Sequence, residues 1–386
     1  MKKLNPITTT TTNNYCSQKF QWLSVSPEKQ YISSCCAATH TKIDISWLEK
    51  NPDQLFNLPI LQEERRLMLD NIAVDSCEAV CWGPERMGLP SRRNTMGSTA
   101  LTHTNVVATP EIVNIILNSD CNLTCSYCNK ECSSAWARDI NNNGPYIENE
   151  TRSVLTSMDR IILKLSRPTI NSNKNYQLIM SEILKYKDVP YINITGGEPF
   201  LFNELPELLA NYTGHISIYT GLGVSGKRLA HLLDLLPLDR ITIVISAENT
   251  EQLYEFNRFG QSYQFFLDNL HIIKSSGVSY KFAAVLSNLT IFGFSNFLEI
   301  YGEQCDELSI CSDPLYLSVN VLDEKSKELI GLYNYEKFDS IIKSTLAVDS
   351  TQEQRANLKI YINEFSKRRN LSLEIFPKHF INWINE

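Results

Sequence analysis

Four cysteines crowd into one short stretch, Cys121, Cys125, Cys128 and Cys132, and five more, Cys16, Cys35, Cys36, Cys77 and Cys81, precede residue 90. Cys305 and Cys311 complete a total of eleven, an odd number that cannot pair off within one chain. The compartment decides how such clusters are read. No run of about 18 apolar residues is present, and Lys2-Lys3 leads into polar Thr and Asn, so neither a membrane span nor a secretory signal is expected. A cytoplasmic location follows, where disulfides are uncommon and clustered cysteines read as metal ligands. The net charge of −7, with no long basic block, makes nucleic acid an unlikely partner.

The 386 residues, 43% hydrophobic and 20% charged, suffice for a large core plus a second module. Residues 1–15, with five consecutive Thr from Thr8 to Thr12, lack apolar periodicity and read as a loose tail. Residues 16–95 read as a small α+β unit. It has strands at Phe20–Ser26 and Gln30–Ser34 around a Ser26-Pro27-Glu28-Lys29 turn, then helices at Pro59–Leu69 and Ser76–Met87. Residues 105–322 alternate apolar strands with amphipathic helices. Strands are predicted near 111–117, 190–195, 214–220, 240–246, 279–286 and 306–310, and helices near 176–187, 203–211, 226–235, 261–276 and 293–301. This order predicts an α/β fold with a parallel sheet closing into a partial (β/α)6 barrel, active groups lying at the carboxyl ends of the strands. The stretch 129–172 is too long for an ordinary connection and is read as an elaboration over the active site. Residues 323–386 read as a helical extension ending in an aromatic patch from Phe376 to Trp383.

The spacing Cys121-Asn-Leu-Thr-Cys125-Ser-Tyr-Cys128, directly after the first barrel strand, places three thiolates on one loop. Three thiolates can hold three irons of a 4Fe-4S cube and leave the fourth iron open to a ligand. Zinc in a structural site takes four ligands, and Cys132 could serve as the fourth, so that alternative stands beside the first. Cys132 can equally be a reactive thiol or an ordinary loop residue. Beyond the next strand comes Gly196-Gly197-Glu198-Pro199. The triplet, with an aromatic residue before its last cysteine, followed in order by this motif, resembles the radical S-adenosylmethionine superfamily. The resemblance implies a 4Fe-4S cluster on Cys121, Cys125 and Cys128 whose open iron chelates S-adenosylmethionine. An electron from the cluster would then cleave that ligand to methionine and a 5′-deoxyadenosyl radical, which takes hydrogen from a substrate.

By the same resemblance, Tyr127 places the adenine through its backbone, and Ser246 and Arg258 hold the ligand carboxylate. Gly196, Gly197 and Pro199 shape the turn, the two glycines letting backbone approach the ligand, and Glu198 offers an acceptor to its ammonium. A surface salt bridge is the plain alternative for Arg258. Thr220-Gly221 stands where relatives often carry Thr-Asn.

The earlier cysteines supply a second set: Cys16, Cys35, Cys77 and Cys81, with Cys36 as the substitute for Cys35. Together with Phe20-Gln-Trp22, Trp47 and Arg65-Arg66-Leu-Met-Leu69, they resemble the twitch module, a reduced relative of the SPASM domain that binds an auxiliary 4Fe-4S cluster. Ser133-Ser-Ala-Trp136 and Pro314-Leu-Tyr-Leu-Ser318 extend the likeness over residues 15–322. The chain departs from that pattern in having Glu28-Lys29 where a glycine turn is usual, three residues between Cys77 and Cys81, and the module before the barrel. Zinc on the same four thiolates is the alternative. Cys305 and Cys311 read as core residues.

The expected activity is hydrogen abstraction from a peptide or protein side chain, with an external one-electron reductant such as flavodoxin or ferredoxin. A small molecule such as a sugar, alcohol or nucleotide is the alternative substrate. A zinc-binding scaffold is the non-enzymatic alternative, and the Gly-Gly-Glu-Pro turn argues against it.

Overall fold

A computed structural model describes residues 13–146 and 173–386. Most of the predicted tail, and the greater part of the predicted elaboration at 129–172, lie outside the described residues. The protein is mixed α/β with mostly parallel strand pairing, and its contacts divide it into two units.

Unit 1 takes in residues 13–116, 173–192 and 212–214. Strands β1 (Trp22–Ser26) and β2 (Tyr31–Ser33) form the predicted antiparallel hairpin. Phe20, read as the start of the first strand, instead lies in a helical turn, Gln18–Gln21. The hairpin gains a third member, β3 (Thr41–Lys42), and β1 pairs in parallel with β4 (Ile112–Ile116), Leu23 standing opposite Val113. The helix Pro59–Leu69 has the predicted bounds and buries Leu61, Arg65 and Met68. The predicted helix Ser76–Met87 is wound three ways: a tight turn at Asp75–Cys77, a widened π-helical turn at Glu78–Trp82, and an α-turn at Gly83–Arg86. Such irregular winding marks a segment whose side chains are directed by tertiary contacts more than by helix periodicity.

Unit 2 takes in residues 117–146, 193–211 and 215–386. It holds the short β5 (Thr124–Cys125), the end of β6 (Tyr191–Thr195), and β7 (His215–Thr220), β8 (Ile241–Ser246), β9 (Arg258–Phe259), β10 (Ser279–Leu286) and β11 (Cys305–Ile310). Strands β7, β8, β10 and β11 pair in parallel in that order. Successive strand side chains face opposite ways. One face of this sheet therefore carries Ile216, Ile218, Ile243, Ile245, Phe282, Ala284 and Leu286, all buried. Helices Gly226–Leu235, Tyr263–Ser276 and Phe294–Tyr301 bring the matching apolar stripes, including Leu229, Phe266, Ile273 and Phe297. Each such side chain contributes about 1.5–3 kcal/mol by leaving water. Ser225 and Ser262 cap two of these helices, and Gly277, at φ +73°, ends the second in a left-handed turn that favours glycine.

The other face is polar. Lys281 Nζ lies 2.7 Å from Glu307 Oε1, and Tyr219 Oη donates to the same carboxylate at 3.2 Å. A parallel sheet covered on both faces reads apolar on both. β7 and β10 alternate in burial, whereas in β8 between them Val244, on the face of Tyr219 and Lys281, is buried too. Cys305 and Cys311 are buried, as expected of core residues.

Candidate functional site

The loop carrying Cys121, Cys125 and Cys128 is seated in unit 2 by three separate devices. The first is the Gly196-Gly197 turn at the end of β6. The Gly197 N–H donates to Asn118 O at 2.8 Å and the Glu198 N–H to Asp120 O at 2.7 Å. A Cβ on Gly196 would stand 2.7 Å from Asn118 O, and one on Gly197 2.2 Å from Asp120 O. Gly196 also has φ +143°. These glycines are thus required by the close approach of the backbone leading into Cys121, a contact within the protein.

The second device is a two-residue antiparallel pairing of β5 with β9, in which Cys125 stands opposite Arg258. The Arg258 Nη1 lies 3.8 Å from Cys125 Sγ, Nη2 lies 3.2 Å from Glu248 Oε2, and Nη2 lies 2.5 Å from Tyr127 Oη. Tyr127 Oη in turn donates to Glu248 at 3.2 Å. Arg258 is 3% exposed and Glu248 1%, so the alternative of a surface salt bridge is corrected to a buried pair. Burial opposes the charge of Arg258, but Glu248, Tyr127 and Cys125 outweigh it and hold the guanidinium protonated. Burial raises the Glu248 carboxyl above its usual range, with Arg258 and Tyr127 counteracting. Tyr127, expected to act through its backbone, also contributes its phenol.

The third device is the long helix of the C-terminal region, Gln352–Arg369. Tyr361 Oη donates to Ser126 O, and Arg369 Nε donates to Thr124 Oγ1 at 3.0 Å, so the residues on both sides of Cys125 are gripped. Trp136 Nε1 donates to Cys125 O at 3.0 Å, and the Arg369 guanidinium lies over the Trp136 ring at 4.7 Å. Asp139, on the same helix as Trp136, accepts from Arg369 at 3.2 Å. Ser126 Oγ also donates to Asn257 Oδ1 at 2.7 Å, next to Arg258.

Glu198 is 1% exposed, and its carboxylate accepts from four donors: Thr220 Oγ1 at 2.6 Å, Gly221 N at 3.0 Å, Gly223 N at 3.2 Å and Phe200 N at 3.2 Å. Burial raises its pKa despite them. Pro199 is buried at the start of the turn Pro199–Leu201. Ser246 is half-buried at the end of β8, and it is Glu248, two residues on, that reaches Arg258. Burial, followed by the neighbouring Cys125, raises the Cys121 thiol to about 12, and burial raises Cys125 despite Arg258. Cys128 is raised by a hydrogen bond with Cys132, which places the exposed Cys132 beside the triplet. Among the described residues, Arg258 Nε, Tyr254 Oη and Gln261 Oε1 are buried with no hydrogen-bond partner. A buried polar atom of this kind calls for a partner. Three thiols on one loop, with Arg258 and its unpartnered Nε beside Cys125, fit an iron–sulfur cluster and a polar ligand.

In unit 1, Cys16, Cys35, Cys77 and Cys81 line one pocket together with Lys19, Arg92 and Arg93. Cys36 packs against the outside of this group. Burial raises Cys16 and Cys81 to about 12, whereas a hydrogen bond from Cys36, the Ala37 N–H and two cations lower Cys35 to about 5. Four soft donors with cations around them fit a metal–sulfur centre, whose thiolates carry net negative charge. Among the described residues, no group of three or more His, Cys, Asp or Glu side chains is gathered about a single point as one bare ion would require.

Sequence reasoning missed Glu248, Tyr361, Arg369, Lys19 and Glu64. Glu248 was visible as the acid after β8; the others carry no local motif, because their partners lie far away in the chain.

No family model and no curated protein matches the chain. Solved structures do. "Native anSMEcpe with bound AdoMet" is 15% identical with a TM-score of 0.34, over 66% of this chain and 60% of that one. "Native anSMEcpe with bound AdoMet and Cp18Cys peptide" is 16% identical with a TM-score of 0.36, over 67% and 61%. The chain thus spans about three fifths of the length of the structures it matches. So distant a likeness leaves function to rest on this chain's own residues. No described helix is long and apolar enough to cross a membrane.

Proposed function

We propose that this chain is a radical S-adenosylmethionine enzyme with a partial (β/α)6 barrel and an auxiliary cluster module at residues 16–95. The observation that carries the reading is the seating of Gly196-Gly197-Glu198-Pro199 on the backbone that enters Cys121, with no room for a side chain at either glycine. It puts the two motifs in one place for a reason local packing supplies.

Cys121, Cys125 and Cys128 would hold a 4Fe-4S cluster, and the Gly196–Pro199 turn, Tyr127, Ser246 and Arg258 would hold S-adenosylmethionine. When bound, the cluster supplies the electron that cleaves this ligand to the 5′-deoxyadenosyl radical, which abstracts hydrogen from the substrate. Arg258 keeps a permanent charge beside Cys125, with its buried Nε left without a partner and suited to a carboxylate. Glu198 fixes the segment Thr220–Gly223 through the Thr220 hydroxyl and the Gly221 and Gly223 N–H groups. The polar face of β7, β10 and β11, with Tyr219, Lys281 and Glu307, suits a hydrophilic substrate such as a peptide. Cys16, Cys35, Cys77 and Cys81 would hold the auxiliary 4Fe-4S cluster, and an external one-electron donor would reduce the enzyme.

Anaerobic purification tests this directly. Expected are iron and sulfide with broad visible absorption, and release of 5′-deoxyadenosine from S-adenosylmethionine on reduction. A colourless zinc protein without that cleavage would overturn the proposal.

A further inference from the structure

The four thiols of the unit 1 pocket come from three separate segments, and apart from the Cys77 and Cys81 turn no single element carries two of them. Glu64, on the helix Pro59–Leu69, joins all three. Its Oε2 accepts from Lys19 Nζ at 2.7 Å and from Ser34 Oγ at 3.1 Å, and its Oε1 accepts from Ser76 Oγ at 2.5 Å. Lys19 Nζ donates as well to Ser76 Oγ at 2.9 Å. Ser34 directly precedes Cys35, Ser76 directly precedes Cys77, and Lys19 lies one turn after Cys16. One carboxylate and one ammonium thus tie together the three segments that bear all four thiols. Lys19 is 1% exposed and itself lines the pocket.

We propose that Lys19 and Glu64 are positioning residues of a metal–sulfur centre held by Cys16, Cys35, Cys77 and Cys81, the pair fixing the three segments and keeping one positive charge against the thiolates. The inference rests on the reading of these thiols as cluster ligands. An ordinary buried ion pair would hold the fold and leave the centre's electronic properties alone, since such pairs are often replaceable by apolar side chains of similar volume. A charge beside a cluster, by contrast, sets its reduction potential.

The test uses full-length protein carrying Cys121→Ala, Cys125→Ala and Cys128→Ala, so that iron reports the unit 1 site. Iron, sulfide, midpoint potential and thermal melting are compared with and without two further changes. The parent is expected to hold about four irons. The double variant Lys19→Met with Glu64→Leu removes both charges and leaves no unpaired ion, so it is expected to melt with the parent, to lose part of the iron, and to show a more negative potential in what remains. The pair Ser34→Ala with Ser76→Ala keeps both charges, and is expected to lose iron with no change of potential. Parental iron and parental potential in the double variant would overturn the role of Lys19 and Glu64, as would full iron in the serine variant. A parent holding zinc or no metal would instead overturn the cluster reading of the four thiols, and the inference with it.

Discussion

The two cysteine sets solve one problem in opposite ways. The triplet Cys121, Cys125 and Cys128 comes from a single short loop, so its thiols are near one another by chain connectivity, and the loop needs holding from outside. Backbone supplies the glycine turn at Gly196-Gly197 and the β5–β9 pairing, and side chains add the hydrogen bonds from Tyr361 and Arg369 to the residues flanking Cys125. The unit 1 thiols come from sequence-distant places, and side chains gather them through Glu64 and Lys19. Thiols close in sequence ask the fold for a clamp. Thiols far apart ask it for a hub.

The sharpest way to break this comparison is to remove one set and read the other. With Cys121, Cys125 and Cys128 all changed to Ala, we expect cleavage of S-adenosylmethionine to disappear while about four irons remain; with Cys16, Cys35, Cys77 and Cys81 changed, the triplet cluster should persist. Loss of all iron in either variant would mean that the sets are not independent. Next in size is Arg258→Met. Stranding Glu248 in the core should lower unfolding stability by about 3–5 kcal/mol in denaturant titration. Arg258→Lys should not restore it, because an ammonium cannot reproduce the fork that reaches Tyr127, Glu248 and Cys125. A loss below about 1 kcal/mol would instead indicate a screened pair.

Smaller effects probe the clamp. Gly197→Ala forces a Cβ against the Asp120 carbonyl, an overpacking that costs about 1–3 kcal/mol, and the iron lost should come from the triplet alone. Tyr361→Phe leaves the Ser126 carbonyl without that donor, for about 1–3 kcal/mol, and the electron paramagnetic resonance signal of the triplet cluster should broaden while the auxiliary signal stays. An unchanged triplet signal would remove the helix Gln352–Arg369 from the clamp. Least of all should be Cys36→Ser, which lies outside the pocket and should keep its iron. If Cys36→Ser loses iron and Cys35→Ser does not, the two exchange roles.

Most of the unit 2 architecture was legible in the sequence because its signals are local. Strands at 214–220, 240–246 and 279–286 and the helices between them follow from apolar strands alternating with amphipathic helices, and the structure moves their ends by no more than two residues. The segment after Ser76 was not legible, since its π-helical turn answers to the pocket rather than to helix periodicity. For Gly196-Gly197 the motif marks where a side chain is forbidden, and the structure adds the Asn118 and Asp120 carbonyls that forbid one. Arg258 was legible as a charge, whereas its burial depended on Glu248 and Tyr127 lying close in space. Lys19, Glu64, Tyr361 and Arg369 had no signal at all, because each acts on residues dozens to hundreds of positions away.

The grip of the helix Gln352–Arg369 on the Cys125 loop also carries an order in time. Tyr361 lies 235 positions beyond Ser126, and Arg369 lies 245 beyond Thr124. A ribosome making this chain completes Lys19, Glu64 and all four unit 1 thiols long before the helix exists, and at about 5–20 residues per second the delay is of order ten seconds or more. The unit 1 pocket can thus be assembled on the nascent chain, whereas the triplet loop waits for nearly all of these residues to be made, a sequence of events that any iron–sulfur delivery machinery would have to follow.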